Sequence, residues 1–245
     1  MQGYREDLAY IHDAGFRDYA LKAAPGLLQM LRKNGVTDGL VVDLGCGSGR
    51  WAAELNRAGY RVLGVDQSAA MIGLARKIAP HSKFKIASLL RTALPSCDAI
   101  TSVGECLNYC FDEKNSREEL NRLFERARRA LRPGGVLVFD IAEPARIPRS
   151  MPQTKWIEGR DWSLFVTISG DRDQNTLQRE IVCFRKLGRL YRRNQEIHNL
   201  RLYRANDLIR DLAQYGFAAR EISGYGAFRF PPGIAGVLAI RKPLV

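Results

Sequence analysis

The sequence predicts an α/β fold, a doubly wound and mostly parallel sheet interrupted late in the chain by an antiparallel β insertion. Three observations predict it. Residues 40–50 read Leu-Val-Val-Asp-Leu-Gly-Cys-Gly-Ser-Gly-Arg, a buried strand, a glycine-rich turn and the start of a helix. Further apolar strands then alternate with amphipathic helices as far as Asp140. From Asp161 to Tyr203 the helical period gives way to alternation with period two.

Taken in order, residues 4–13 form a short helix closed by Gly15, and a second helix runs from Phe16 to Lys33, with Pro25-Gly26 as a break or kink. The first strand and glycine turn follow, with Ser48 expected to cap a helix over 49–58. Residues 60–66 are a second strand ending in Asp66, and Gln67-Ser68 open a helix that reaches Ala79. Strands at 83–87 and 97–103 come next, then a charged amphipathic helix over 116–131, stopped by Arg132-Pro133-Gly134-Gly135, and a strand at 136–140. Pro148 and Pro152 mark a linker. Strands at 163–169, 176–187 and 190–203 form a meander with turns at Gly170-Asp171 and Gly188-Arg189. A helix over 206–215 and strands at 217–222 and 236–241 complete the chain. This divides the chain into a core of residues 1–150 and 204–245 and an insertion of residues 151–203, read as a flap over the sheet.

The chain has 245 residues, 46% of them apolar, enough for one large domain with an insertion. No apolar run is long enough to cross a bilayer, and the opening residues lack the basic-then-apolar pattern of a secretory signal. The five cysteines have no C-x-x-C spacing and the three histidines are dispersed, which argues against a metal site and for a reduced, cytoplasmic protein, monomeric or homodimeric. The net charge of +12 is spread among acidic residues, as on a solvated surface.

A bare glycine turn at a helix N-terminus attracts an anionic group. A dinucleotide fingerprint needs G-x-G-x-x-G, but here the third glycine, Gly49, comes one residue early and Arg50 takes its place. Asp43 precedes the turn, where a carboxylate faces a cation or ordered water rather than a pyrophosphate. Asp66 can accept two ribose hydroxyls.

With these residues in view, the chain resembles the class I S-adenosylmethionine-dependent methyltransferases. The likeness rests on Val41–Gly49, Gly64-Val65-Asp66-Gln67-Ser68 with Met71 following, Cys97-Asp98-Ala99-Ile100 and Leu131–Gly135, in order and at the right spacing over about 36–142. It implies a seven-stranded, Rossmann-like sheet whose last strand runs antiparallel. It also implies S-adenosylmethionine as cofactor. The turn of Gly45, Cys46, Gly47 and Gly49 lines the methionine portion and Asp43 orients its amino end. Asp66 binds the ribose, and Gln67 and Met71 flank the adenine. Val103 and Gly104 close the site at the end of the fourth strand. Family members often carry an acid after the third strand. Here Ser88 and Leu89 stand there, so Ser88 or a backbone group substitutes. Beyond Arg146 the chain is similar to small-molecule N-methyltransferases with an antiparallel insertion.

Methyl transfer from a sulfonium needs a positioned nucleophile, exclusion of water, and a base only if the nucleophile starts protonated. Two catalytic candidates follow. Glu105 lies just beyond the fourth strand. His198 shares a strand face with Glu196, Leu200 and Leu202. Asn108 and Tyr109, and Tyr4, Tyr10 and His12 in the segment expected to cover the cofactor mouth, are the substrate-binding candidates. The acceptor is expected to be a small molecule with an N or O nucleophile. A nucleic-acid (RNA) methyltransferase is the first rival, favoured only by the charge and lacking an N/D-P-P-Y/F tetrad for a flipped base. A non-catalytic ligand-binding protein of the same fold is the second.

Overall fold

The computed structural model describes residues 3–112, 115–150 and 152–243. The chain opens with α1 (Glu6–Phe16) and α2 (Asp18–Lys33). The alternating region comprises β1 (Leu40–Leu44), α3 (Arg50–Arg57), β2 (Arg61–Asp66), α4 (Ala69–Ile78), β3 (Lys83–Ile86), β4 (Cys97–Ser102), α5 (Arg117–Ala130) and β5 (Leu131–Ala142). The insertion holds β6 (Gln153–Glu158), β7 (Trp162–Asp171), β8 (Thr176–Leu187) and β9 (Leu190–Arg201). The chain ends with α6 (Ala205–Gln214), β10 (Phe217–Ile222), a small hairpin of β11 (Gly224–Tyr225) and β12 (Phe228–Arg229), and β13 (Ile234–Arg241).

The main sheet has seven strands in the order β10-β13-β5-β4-β1-β2-β3. β1 to β5 pair in parallel, and β13 runs antiparallel to both β5 and β10. Strand order reverses at β1, and the crevice at the carboxyl ends of β1 and β4 is where such sheets hold ligands. The sheet is covered on both faces, which explains the apolar runs at 40–42 of β1 and 136–139 of β5. Leu120, Leu123, Phe124 and Leu208 of α5 and α6 pack on one face. Leu27 and Leu31 of α2 with Trp51 and Leu55 of α3 pack on the other.

The insertion is a separate four-stranded antiparallel sheet in the order β6-β7-β8-β9. Its inner face carries Trp162, Leu164, Ile181 and Cys183, which bury Leu8 and Ile11 of α1. Asp7 fixes this contact by accepting hydrogen bonds from Arg185 (3.2 Å), from both Arg192 nitrogens and from Asn194. The N-terminal helix is thus held by the insertion.

Several local expectations are corrected. Gly15 does not close α1, which runs through it; a Cβ there would collide with the Trp162 indole, so the glycine permits a close helix–sheet approach. Pro25-Gly26 leaves α2 continuous, and Gly26 makes room for the Tyr225 carbonyl. Ser48 is not the cap of α3; that position belongs to Gly49 in the left-handed region (φ +78°), and the Ser48 hydroxyl donates to Asp13 instead. The turn expected at Gly170-Asp171 falls after Asp171, whose side chain accepts from the amides of Asp173 and Gln174. β6 occupies part of the expected linker. As an edge strand with one half-buried apolar residue, Ile157, it carries little hydrophobic pattern.

Candidate active site

The glycine turn is tied down first. The amides of Gly45 and Cys46 donate to the Val65 carbonyl of the neighbouring strand at 2.7 and 3.1 Å. Gly47 (φ +51°) has nothing within 4 Å of where a Cβ would stand, so this side of the turn is bare backbone facing open space. Its amide donates to Asp66 Oδ2 (3.0 Å), and the Ser68 amide donates to Oδ1 (2.8 Å). Ser68 also caps α4 through the Met71 amide (3.1 Å) and donates its hydroxyl to the Tyr4 carbonyl (2.5 Å). The N-terminal segment therefore crosses directly over the Asp66 crevice. From α1, Asp13 reaches the same turn. It accepts from Ser48 (2.7 Å) and takes Arg50 as a fork at 2.8 and 2.6 Å.

These elements surround a cavity of about 470 Å³, within the range of small-molecule sites. Asp43, Gly45, Cys46, Gly47, Asp66, Gln67, Met71, Ser88, Leu89, Val103 and Gly104 line one end. Gly49 is not on the wall; it turns the chain into α3. Asp43 accepts from Thr101 (2.8 Å), which in turn accepts from the Trp51 indole (3.1 Å). Burial raises the Asp43 carboxyl to about 7. Among the described residues no cation pairs with it, and the buried Ser88 hydroxyl has no hydrogen-bond partner. A buried carboxyl without a cation, an orphaned hydroxyl and a bare amide turn fit a ligand that brings a cationic amino end, a ribose and a base.

The other end of the cavity starts where β4 stops. Gly104 (φ +95°) and Glu105 (φ +61°) form a left-handed turn. Both amides donate to the fully buried Asp140, which also accepts from Tyr225 (2.7 Å) and which burial raises to about 6. Glu105 is the strained residue, and Asp140 is what holds it there. The Glu105 carboxylate accepts from Arg179 of β8 (2.7 Å), whose other nitrogen donates to the Tyr109 hydroxyl (2.8 Å). Tyr109 meets Tyr4 at 3.3 Å.

His12 stands on the cavity wall because α1 presents Leu8, His12 and Phe16, at helical spacing, to the interior. Its ring meets Tyr4 edge-on at 5.0 Å, and neither nitrogen finds a hydrogen-bond partner among the described residues. Burial lowers it to about 4, so the imidazole is neutral at physiological pH.

Three candidates lie elsewhere. His198 is not on the cavity wall. Its Nε2 pairs with Glu196 (3.0 Å), and Tyr4, Phe111 and Tyr109 enclose the ring at 4.8, 4.7 and 5.8 Å, standing between it and the cavity. Tyr10 points off the opposite side of α1, donating to Asp161 (2.7 Å) with the Arg185 guanidinium over its ring. Asn108 is fully buried; its amide donates to the carbonyls of Ala142 and Arg201 and its oxygen accepts from the Ala142 amide, so it fastens β5 to β9. Sequence reasoning passed over Asp140 and Asp13. Asp140 had a signal, since an acid interrupts the apolar run of β5 after Phe139 as Asp66 follows the run of β2.

This sheet order, with a bare glycine turn and a buried acid at the next strand end, defines a class I S-adenosylmethionine-dependent methyltransferase. Comparison with known proteins agrees. Residues 41–135 match the family model of the methyltransferase domain. A Geobacillus sp. protein that carries a methyltransferase designation is 24% identical over 231 residues, covering 89% of this chain and 90% of the relative. The crystal structure of an S-adenosylmethionine-dependent methyltransferase from Clostridium acetobutylicum superposes with a TM-score of 0.82 at 18% identity, over 97% of this chain and 98% of that one. A sugar N-methyltransferase from Streptoalloteichus sp. gives 0.77 at 19% identity, over 99% and 95%. The chain is a class I S-adenosylmethionine-dependent methyltransferase, with the antiparallel sheet as its insertion.

Proposed function

We propose that the chain transfers a methyl group to the nitrogen or oxygen of a small molecule held between α1 and the insertion sheet. The observation that carries this is the shape of the cavity. It runs without interruption from the glycine turn to the inner face of the insertion, under the N-terminal segment, and leaves room for a compact acceptor. The Streptoalloteichus sp. structure, which matches this chain through the insertion as well, is of a sugar N-methyltransferase.

When bound, S-adenosylmethionine supplies an already activated, electrophilic methyl group. In this reading Asp66 and the amides of Gly45, Cys46 and Gly47 hold the ribose and methionine portions, while Gln67, Met71, Ser88 and Leu89 enclose the base. Val103 and Gly104 bring bare backbone to the middle of the cavity. Tyr4 and Tyr109 offer hydroxyls to the acceptor, and Glu105, neutralised by Arg179, orients it. Neutral His12 accepts the proton of the nucleophile. His198 supports Tyr4 and contributes no proton transfer.

His12→Ala is accordingly expected to lower kcat about 10²–10⁴-fold while leaving cofactor affinity unchanged; steady-state kinetics beside calorimetry reads both. Wild-type kcat in that variant would remove His12 from the mechanism. Val166→Phe, which fills the acceptor end, is expected to stop transfer with the thermal stabilisation by S-adenosylmethionine retained. Transfer at the wild-type rate would contradict the placement of the acceptor.

Asp43 adds a pH dependence. It accepts a cationic amino end only when ionised, so cofactor affinity is expected to rise as pH climbs to about 7 and level off above it. Calorimetric titrations on either side of that value test it, and a pH-independent Kd would contradict it. Stability of the cofactor-free protein has the opposite sign. Between the ordinary 3.8 and about 7 the folded state binds more protons than the unfolded state, so this group makes stability fall as pH rises across that window.

A further inference from the structure

The acceptor end of the cavity is asymmetric in charge. Its outer wall is one face of the insertion sheet, set in rows by the strand register. Lys155, Val166, Ile181 and Glu196 stand in one row, and Gln153, Ile168, Arg179 and His198 in the next. Ile157 and Leu164 begin a third. Ile157, Leu164, Val166, Ile168 and Ile181 reach the cavity, so this wall is aliphatic apart from Lys155 and Arg179.

Among the described residues four carboxyl groups line the cavity, those of Asp43, Asp66, Glu105 and Asp112. Asp43 and Asp66 belong to the cofactor end. Glu105 is held by Arg179 and Asp112 by Arg91. Among the described residues none of these is left to meet a cation carried by the acceptor. The cations are disposed differently. Arg50 pairs with Asp13 and Arg179 with Glu105, and Arg17, exposed between α1 and α2, also lines the cavity and acts electrostatically on Asp13. Lys155 has no ion-pair partner among the described residues, and Arg146 donates only to the Pro232 carbonyl (3.3 Å). Ile147, next to Arg146, packs with Ile168, whose row adjoins that of Lys155. Arg146 and Lys155 therefore both line the cavity without a carboxylate partner among the described residues.

We propose that the acceptor is a small amphipathic anion. Its apolar body lies along Leu164, Val166, Ile168 and Ile181, and its anionic group meets Arg146 and Lys155. This rests on the small-molecule reading above and narrows it. Burial of the apolar body supplies affinity, and the two cations set its direction in the cavity, so that the opposite end carries the nucleophile toward His12.

The test uses the full chain saturated with S-adenosylhomocysteine and three matched probes, 4-phenylbutyrate, 4-phenylbutanol and 4-phenylbutylamine, titrated by calorimetry. The butyrate is expected to bind at least about tenfold more tightly than the alcohol or the amine. Arg146→Glu and Lys155→Glu are each expected to weaken it about three- to tenfold, and the double variant to turn the preference toward the amine. Affinity for S-adenosylhomocysteine should not change in any of them. Amine or alcohol binding as tight as the butyrate overturns the proposal, as does a preference untouched by both charge reversals. Absence of binding by all three overturns it too, and so does displacement of the butyrate by a single-stranded oligonucleotide. Failure of S-adenosylhomocysteine itself to bind would instead bring down the underlying reading of the site, which keeps the two failures apart.

Discussion

Replacing Asp66 by alanine is expected to abolish the thermal stabilisation that S-adenosylmethionine should give the wild-type protein. The carboxylate sits at the end of β2 with each oxygen already held by one backbone amide, from Gly47 and from Ser68. Those two bonds fix its plane and leave lone pairs directed into the crevice, where a pair of vicinal hydroxyls can donate to them. Burial raises the carboxyl above its ordinary value while the amides of Ser68 and Gly47 oppose that rise. Hydrogen bonds to a charged acceptor contribute about 1.5–3 kcal/mol each, so losing two costs about 3 kcal/mol or more, over a hundredfold in affinity. At a fixed cofactor concentration a shift of that size removes the rise in melting temperature. The melting temperature of the cofactor-free variant serves as the control, because Asp66 also braces the glycine turn. Unchanged stabilisation in Asp66→Ala would contradict the placement of the cofactor.

The second large effect belongs to Arg179. Arg179→Met is expected to destabilise the fold by about 3 kcal/mol, because it strands the Glu105 carboxylate inside the cavity wall. Both side chains of this pair are only about 15% exposed, so solvent screens it poorly. Glu105 is also held in left-handed backbone by Asp140 and cannot turn away to water. Adding Glu105→Gln to Arg179→Met should recover most of the loss, since it removes the orphaned charge. Urea unfolding of the two single variants and the double variant measures the coupling. A loss below about 0.5 kcal/mol in Arg179→Met, the behaviour of an exposed pair, would show that Glu105 is free to act as an acid or base.

Much of the fold was legible because its determinants are local. The apolar run of β1, the three glycines after it and the acid closing β2 lie within 27 residues, 40–66, and fix a strand-turn-helix-strand unit. The alternation Glu196, His198, Leu200 and Leu202 gave the buried face of β9 and of the residue just past its end in the same way; all four residues are buried. The site was less legible because its acceptor half is assembled across long separations. Leu8, His12 and Phe16 line the cavity while Tyr10 does not, and that choice is made by how α1 docks on the insertion, through Asp7 and three side chains of β8 and β9. His198 had the right chemistry and a buried face, but three aromatic rings from distant segments close around it. Asn108 looked available as a polar group beyond β4, yet the unpaired backbone of β5 and β9 takes all of its hydrogen-bonding capacity that the cavity could have used. Arg179 stands beside His198 in the register, but its partner is Glu105, 74 residues away.

The central claim is methyl transfer to a small molecule, and one measurement tests it most directly. The wild-type protein and the Asp66→Ala variant are incubated with methyl-labelled S-adenosylmethionine and an extract of the source cells, which is then dialysed. A new labelled small molecule, resolved by chromatography of the dialysable fraction from S-adenosylmethionine and its breakdown products, is expected with the wild-type protein and not with the variant. Label retained with the macromolecules and released by ribonuclease, or no transfer of label by the wild-type protein, would contradict it.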